Sequence, residues 1–260
     1  MTALYDQIGK KYDLTRQADE EIVQRLNALL DPQKGQHVLD VGCGSGNYTI
    51  ALAKCGISIT GLDISQEMLN KASAKEPTLT WILGDAKNLP FADNTFDGVL
   101  CFLALHHIRE YMLFFREAYR VLKSNGKLLI FTDTPAQFMQ LWLTDYFPKM
   151  MAQAAALLLS QKQVEEALNL VGFKQICFEN YFVTANLQDA FLQKAKHHPE
   201  LCLDKNFRSN TSPFALAQDQ EEIQSGLERL TRDIKSNQIA KVIQRYPNSD
   251  GNFYYLFSIK

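Results

Sequence analysis

Short apolar runs alternate with amphipathic stretches over residues 36–132. The apolar runs that have the length and composition of buried strands are residues 37–41, 57–62, 79–83, 96–102 and 127–132. Between them, residues 47–54, 65–74 and 114–125 carry apolar side chains at helical spacing, and the last stretch is expected to end at Asn125-Gly126. This alternation predicts an α/β fold with a doubly wound, mostly parallel sheet.

The second half of the chain departs from this alternation. Residues 164–171 predict one more helix, opened by a capping box at Ser160 and Gln163 and closed by Gly172. Residues 173–183 and 253–259 predict two further strands, so the expected sheet has seven strands. Two insertions, residues 135–159 and 188–246, read as mainly helical, and such insertions commonly build substrate lids in α/β enzymes. We expect a single domain over residues 1–260.

Composition narrows the functional classes. The 260 residues carry a formal net charge of −2, without the basic excess of proteins that bind nucleic acid through phosphates. Five scattered cysteines form no C-x-x-C pair, so we expect reduced thiols and no zinc or other metal site. The start of the chain shows no signal peptide, and no apolar run is long enough to span a bilayer. A cytoplasmic protein is the resulting expectation.

The strongest chemical signal is VLDVGCGSGNY, residues 38–48, between a predicted strand and a predicted helix. Glycine lets the backbone turn tightly and approach a ligand closely. Dinucleotide folds use G-x-G-x-x-G, and here the third glycine, Gly46, comes one residue too early. Asp40, two residues before Gly42, would repel a pyrophosphate and attract a cationic ligand. The loop therefore favours a cationic cofactor over a dinucleotide.

This D-x-G-x-G-x-G pattern resembles that of class I S-adenosylmethionine (SAM)-dependent methyltransferases. Further segments match in the expected order, namely Asp63, Gly84-Asp85-Ala86, Leu105-His106-His107-Ile108 and REAYRVLKSNG at residues 116–126. The last segment is similar to the ubiquinone/menaquinone-biosynthesis-like subgroup, methyltransferase type 11. The resemblance implies a Rossmann-like methyltransferase fold, SAM as the cofactor and methyl transfer to a small-molecule acceptor. Residues 36–134 would form the cofactor-binding core, and residues 1–30 a helical segment over the cofactor.

The resemblance also implies a set of cofactor-binding residues. They are Tyr12, Arg16, Asp40, Gly42, Cys43, Gly44, Gly46, Asp63, Ile64, Met68, Asp85, Ala86 and Phe102. Asp63 would take the ribose hydroxyls, Asp85 the adenine amine, and Arg16 the methionine carboxylate. Simpler roles remain open: Asp63 could cap the next helix, Asp85 could be a turn residue, and Tyr12 could pack a surface helix.

Catalytic candidates are fewer. His106 and His107 could deprotonate an acceptor, although such a pair can equally be architectural. The aromatic and methionine side chains of residues 138–151 could line an acceptor pocket or form a core stripe. The (D/N)-P-P-(Y/F) motif of amino-directed nucleic-acid methyltransferases is missing after the fourth strand, which favours a small, rather apolar acceptor. Two alternatives stay open: a SAM-binding protein without transferase activity, and a nicotinamide-dependent oxidoreductase.

Overall fold

The computed structural model describes residues 5, 6 and 9–260. Within them, one mixed sheet has the order β3-β2-β1-β4-β5-β7-β6. Its strands are β1 (His37–Val41), β2 (Ser58–Asp63), β3 (Thr80–Leu83), β4 (Phe96–Phe102), β5 (Leu122–Thr132), β6 (Lys174–Tyr181) and β7 (Phe253–Ile259). Strands β1 to β5 are parallel, whereas β7 pairs antiparallel with both β5 and β6. This confirms the predicted doubly wound, mostly parallel seven-stranded sheet.

Helices cover both faces of the sheet. The longer α-helices are Glu20–Leu30, Asn47–Lys54, Gln66–Lys75, Tyr111–Val121, Pro148–Ala155, Gln161–Val171 and Gln220–Lys235. Short α-helices are Pro135–Met139, Lys205–Ser209, Ser212–Ala215 and Ile239–Ile243, and 3-10 turns are Gly9–Leu14, Leu105–His107, Trp142–Asp145, Leu192–Lys196 and Pro199–Leu203. The expected capping box at Ser160 and Gln163 and the left-handed Gly172 are both present. The segment assigned to residues 1–30 includes residues 1–4, 7 and 8, which lie outside the described residues.

Two apolar layers sandwich the sheet, because its parallel strands are buried on both faces. On one face, Phe114 and Leu168 belong to the same buried cluster as Leu39 of β1. On the other face, Leu26 and Leu52 pack against strand side chains of the same sheet. A third cluster joins the two insertions to each other, and its largest buried members include Trp142, Phe147 and Phe207.

One predicted boundary was wrong. The helix expected to end at Asn125-Gly126 ends at Val121, and the chain enters β5 at Leu122. Asn125 adopts a φ of 63°, and its N–H donates to the Lys260 carbonyl, while the Lys260 N–H donates to the Gly126 carbonyl. Asn125 and Gly126 therefore belong to an irregular strand start bonded to the end of β7, and their turn-like composition reflects that irregularity rather than a helix end.

Candidate active site

A cavity of about 580 Å³ opens at the carboxyl ends of the parallel strands. It lies beside β1 and β4, where the strand order reverses, which is the position where open α/β sheets bind ligands. Every cofactor-binding residue predicted from the sequence lines this cavity except Gly46. The structure thus gathers at one place residues that are dispersed over residues 12–102 of the chain.

Glycine is required at the three loop positions for different structural reasons. Gly42, at a φ of 76°, lies so close to Ala104 that an added Cβ would be 2.5 Å from the alanine Cβ. Gly46 precedes the helix Asn47–Lys54 at a φ of 78° and is packed under the Trp81 ring. An added Cβ at Gly44 would meet no atom within 4 Å. Gly44 therefore presents bare backbone to the cavity, whereas Gly46 serves the packing of the loop.

Asp40 is buried at the floor of the cavity. Its Oδ2 accepts the Thr49 hydroxyl at 2.6 Å, and its Oδ1 has no hydrogen-bond partner among the described residues. Burial raises the pKa of Asp40 to about 7, against the lowering effect of the Thr49 hydrogen bond. A buried carboxylate oxygen without a partner is costly in the free protein, and a cationic ligand would relieve that cost.

Asp63 ends β2 and ties the glycine loop to the next helix. Its Oδ2 accepts the Gly44 N–H and its Oδ1 accepts the Ser65 N–H, both at 2.8 Å. Burial raises the pKa of Asp63, while these backbone N–H groups oppose the rise. Ser65 supplies the cap of the helix Gln66–Lys75, so the capping role considered for Asp63 belongs to Ser65. Each Asp63 oxygen keeps acceptor capacity for a hydroxyl group in the cavity.

The cavity wall beyond Asp63 is partly apolar. Ile64 lines it with 59% of its surface exposed, and Met68 lies under Gly9 of the N-terminal 3-10 turn. Asp85 accepts the Lys87 N–H at 2.9 Å and lines the cavity together with Ala86. An exposed isoleucine beside a carboxylate suits a flat ring that carries an amino group at its edge.

The N-terminal segment is fastened across the cavity by an ion pair. Arg16 donates from Nε and Nη2 to the two carboxylate oxygens of Asp189, at 2.5 and 3.0 Å. Both side chains are almost fully buried, and the guanidinium carbon lies 4.9 Å from the centre of the Tyr12 ring. The Tyr48 hydroxyl also donates to Asp189, at 3.3 Å. Arg16 is therefore held by a residue of the second insertion.

The two predicted histidines lie in the 3-10 turn after β4. Leu103 turns the chain there at a φ of 49°, an unfavourable value for leucine and a common feature of functional sites. Burial lowers the pKa of His107 to about 4, and burial with the neighbouring His107 lowers that of His106 well below its usual range. His107 Nε2 lies 3.3 Å from the Tyr5 hydroxyl, while His106 Nδ1 has no partner among the described residues.

Phe102 contacts the cavity at the rim of an aromatic stack. Its ring lies 3.8 Å from that of Tyr48 and 4.9 Å from that of Phe131, centre to centre. The aromatic insertion serves both roles considered from the sequence. Its side chains form the third apolar cluster, and two members of that cluster, Phe138 and Met150, also line the cavity, whereas Trp142 does not.

Sequence reasoning missed several polar residues that line the cavity, among them Asp133, Asp189, Gln193 and Asn210. Asp133 directly follows β5, so it stands at the carboxyl end of a parallel strand as Asp63 does, and that signal was available. The others lie in the second insertion, where no motif marks them. Asn210 is buried and donates to the Lys11 carbonyl, and its Oδ1 has no partner among the described residues.

The described residues contain neither a metal-binding cluster nor a membrane-spanning helix. In residues 5, 6 and 9–260, no group of three or more histidine, cysteine, aspartate or glutamate side chains is placed to hold a metal ion. Over the same range, no helix is long and apolar enough to cross a membrane.

Known proteins resemble this chain at two levels. Residues 39–130 match the family model described as a methyltransferase domain, of type 11. A demethylmenaquinone methyltransferase of Corynebacterium glutamicum is 35% identical over 135 residues, which are 50% of this chain and 58% of that protein. The chain thus spans little more than half the length of the curated relatives it matches.

Solved structures match over more of the chain. A crystal structure from Anabaena variabilis, described as a methyltransferase from an antibiotic biosynthesis pathway, covers 94% of this chain and 98% of its own, with a TM-score of 0.85 and 28% identity. Phosphoethanolamine N-methyltransferase 2 of Haemonchus contortus shares the fold, with a TM-score of 0.62, 22% identity and coverage of 98% of this chain and 56% of its own. Together with the methyltransferase domain matched over residues 39–130 and the seven-stranded sheet, these likenesses show that the chain has the fold of class I SAM-dependent methyltransferases.

Proposed function

We propose that the chain binds SAM and transfers its methyl group to a small-molecule acceptor. The observation that carries the proposal is the pairing of an unpartnered, buried Asp40 oxygen with the open backbone of Gly44 at one cavity. A carboxylate there suits a ligand that carries positive charge, and the bare loop suits a ligand that lies against the main chain. SAM has both properties, because it carries a sulfonium and an ammonium group and no phosphate.

The remaining predicted residues fit the other parts of SAM. Asp63, fixed by two N–H groups of the loop and of the next helix, is oriented to accept the ribose hydroxyls. Ile64, Asp85 and Ala86 would enclose the adenine ring and accept its amino group. Arg16 uses Nε and Nη2 for Asp189, so Nη1 is the part of its guanidinium that we assign to the methionine carboxylate.

When bound, SAM supplies an electrophilic methyl group, so the chain has to orient the acceptor and exclude water. Contacts of the N-terminal segment serve the second task. Besides the Arg16–Asp189 pair, Asp13 accepts the Ser45 hydroxyl at 2.5 Å and the Lys75 ammonium at 3.0 Å. We further propose that residues 135–159 and 188–246 act as the substrate lid, since side chains of both insertions line the cavity.

The activities for which the similar proteins are named support this proposal. One relative is named a demethylmenaquinone methyltransferase, and the structure of phosphoethanolamine N-methyltransferase 2 is a complex with SAM. We infer a small, largely apolar acceptor and no nucleic-acid substrate, in agreement with the net charge of −2. A reducing compartment such as the cytoplasm is consistent with the free cysteines of the described residues.

Calorimetry and isotope transfer test the proposal. We expect SAM and its demethylated product SAH to bind the purified protein, and tritium from methyl-labelled SAM to appear in a member of a metabolite panel. Binding without transfer would favour a regulatory SAM-binding protein. A thermal shift with NAD(P) and none with SAM would establish the oxidoreductase alternative instead.

The histidines need a separate test, because each stays uncharged at neutral pH. His106→Ala and His107→Ala are measured for turnover and for SAM affinity. Full turnover in both variants would exclude either side chain as the base.

A further inference from the structure

Asp133 and Asp63 occupy different parts of the cavity. Asp133 follows β5, and Asp63 ends β2, so three strand spacings separate them in the order β2-β1-β4-β5. At about 4.8 Å per spacing, the two carboxyl groups are roughly 14 Å apart along the sheet edge. If the ribose of the cofactor lies at Asp63 and its amino-acid end lies at Gly44, the side of the cofactor that is left open to an acceptor faces β4 and β5. Asp133 therefore stands on the acceptor side.

The hydrogen bonds around Gln193 fix which end of its amide faces Asp133. Asn252 Oδ1 accepts both the Val183 N–H at 2.9 Å and the Lys196 ammonium at 3.0 Å. Since both partners are donors only, that Asn252 atom is the oxygen and its Nδ2 must donate. Asn252 Nδ2 accordingly donates to Gln193 Oε1 at 3.3 Å. The Gln193 Nε2 is left to point away from Asn252.

The side-chain nitrogen of Gln193, Nε2, is a second polar group near Asp133. The Gln193 side chain is 1% exposed and lines the cavity. Its Nε2 makes no hydrogen bond of standard geometry with the described residues. The Gln193 amide nevertheless lies close enough to Asp133 to oppose the rise in its pKa that burial causes. A buried donor thus stands beside a buried acceptor, Asp133, which is 5% exposed and also lines the cavity.

Charge around the cavity restricts what can bind there. The acidic residues of the described lining are Asp40, Asp63, Asp85, Glu110, Asp133 and Asp189, and the basic ones are Arg16, Lys87 and Arg109. Arg16 is paired with Asp189, and the Lys87 ammonium is paired with Glu110 at 2.5 Å. An acceptor that carries a phosphate or carboxylate would meet this acidic excess and be repelled.

We propose, on the basis of the proposed methyltransferase function, that Asp133 and Gln193 form the acceptor subsite and bind the hydroxyl group of an aromatic alcohol. A hydroxyl donates one hydrogen bond and accepts two, so it can donate to Asp133 and accept from Gln193 Nε2 at the same time. An ammonium group has donors only and would leave the Gln193 N–H unpaired. Two apolar side chains that line the same cavity suit the ring: Leu192, which precedes Gln193, and Phe253, which follows Asn252.

The subsite also supplies a base for the reaction. The O–H bond of the acceptor breaks, its proton passes to the Asp133 carboxylate, and its electron pair remains on oxygen. That oxygen forms the new bond to the methyl carbon while the pair of the breaking sulfur–carbon bond stays on sulfur. Burial raises the pKa of Asp133 to about 7, within roughly three units of an aromatic alcohol near 10. Proton transfer is therefore better matched at Asp133 than at His107, whose pKa is lowered to about 4.

Binding of a matched pair of probes tests the subsite without turnover. With SAH-saturated protein, calorimetry at pH 8 compares 2-naphthol with 2-methoxynaphthalene, which lacks the hydroxyl donor. We expect 2-naphthol to bind at least tenfold more tightly to the wild type, and the preference to fall below threefold in Asp133→Leu. Equal affinities in the wild type, failure of 2-naphthol to bind, or an unchanged preference in the variant would overturn the proposal.

Turnover with 2-naphthol tests the base. Asp133→Asn should lose about 100-fold or more in methyl transfer while SAM affinity stays within twofold. The matched control is Asp31→Asn, because Asp31 is exposed at the opposite end of the sheet and its φ of 38° suits asparagine. A loss below tenfold, or a methyl group on a naphthol carbon, contradicts the proposal. Wild-type protein that fails to bind SAM or SAH would refute the methyltransferase function itself, whereas normal SAH binding without hydroxyl preference refutes this subsite alone.

Discussion

Replacing Asp133 by asparagine should stabilise the ligand-free protein, and the gain should depend on pH. The pKa of Asp133 is about 7 in the folded chain, against an ordinary value of 3.8. The unfolded chain therefore releases this proton at a lower pH than the folded chain does. Unfolding becomes more favourable as the pH rises between these two values, and below both of them the carboxyl group has no effect on stability.

The size of this effect follows from the two pKa values. One unit of pKa difference corresponds to about 1.4 kcal/mol, so the full penalty at high pH is roughly 4 kcal/mol. Most of it develops between pH 5 and pH 8, where the wild type should lose about 2–3 kcal/mol that Asp133→Asn keeps. Asp40, whose pKa is also raised to about 7, titrates equally in both proteins and cancels from the comparison.

Urea unfolding of the two proteins at pH 5 and pH 8, without ligand, measures this difference. The stability of Asp133→Asn relative to the wild type should rise by about 2–3 kcal/mol between the two pH values. Asp31→Asn, an exposed substitution at the other end of the sheet, is the control measured at the same two pH values. If the difference in free energy of unfolding between Asp133→Asn and the wild type is the same at both pH values, burial does not hold the Asp133 carboxyl group protonated.

Four further predictions concern the cofactor side of the site. Gly46→Ala should lower stability by about 2–3 kcal/mol in urea unfolding, because the new Cβ would lie 2.6 Å from the Trp81 ring at a positive φ. Gly44→Ala has free space and should cost only about 1–2 kcal/mol, while weakening SAM binding in calorimetry; equal stability losses at the two glycines would contradict this. Arg16→Ala should lower the free energy of unfolding by about 3–5 kcal/mol, since it leaves Asp189 buried and unpaired. The double variant Arg16→Ala/Asp189→Ala should lose less stability than the sum of the two single variants, and additive losses would refute the pairing. Asp63→Ala should weaken SAM by about 1–3 kcal/mol through lost hydrogen bonds to ribose, and unchanged affinity in calorimetry would remove Asp63 from the site.

Most of the fold could be read from the sequence because its buried strands, parallel or antiparallel, are continuous apolar runs. Residues 37–41, 96–102 and 253–259 were located without error for that reason. The start of β5 could not be located in this way. Its irregular backbone depends on Asn125 bonding to Lys260, and a contact between such distant positions leaves no local pattern.

The residues of the site also divide into those that could be predicted from the sequence and those that could not. Cofactor-side residues lie within motifs whose spacing is set by one strand and one loop, so Asp40, Gly44 and Asp63 could be predicted. Gln193 and Asp189 reach the cavity only through the packing of the second insertion, whose 3-10 turns and short helices carry no repeat or motif. Asp133 shows that an acid directly after a parallel strand merits attention even outside a recognised motif.

The Arg16–Asp189 pair has a consequence for folding during synthesis. The partners lie 173 residues apart in sequence, so at 5–20 residues per second a ribosome needs roughly 9–35 s after making Arg16 to deliver its carboxylate. Strands β1 to β5 are complete well before that moment, and they can assemble while the N-terminal segment still carries its cation in water. Closure of the segment over the cavity must therefore be among the last events in the maturation of the nascent chain.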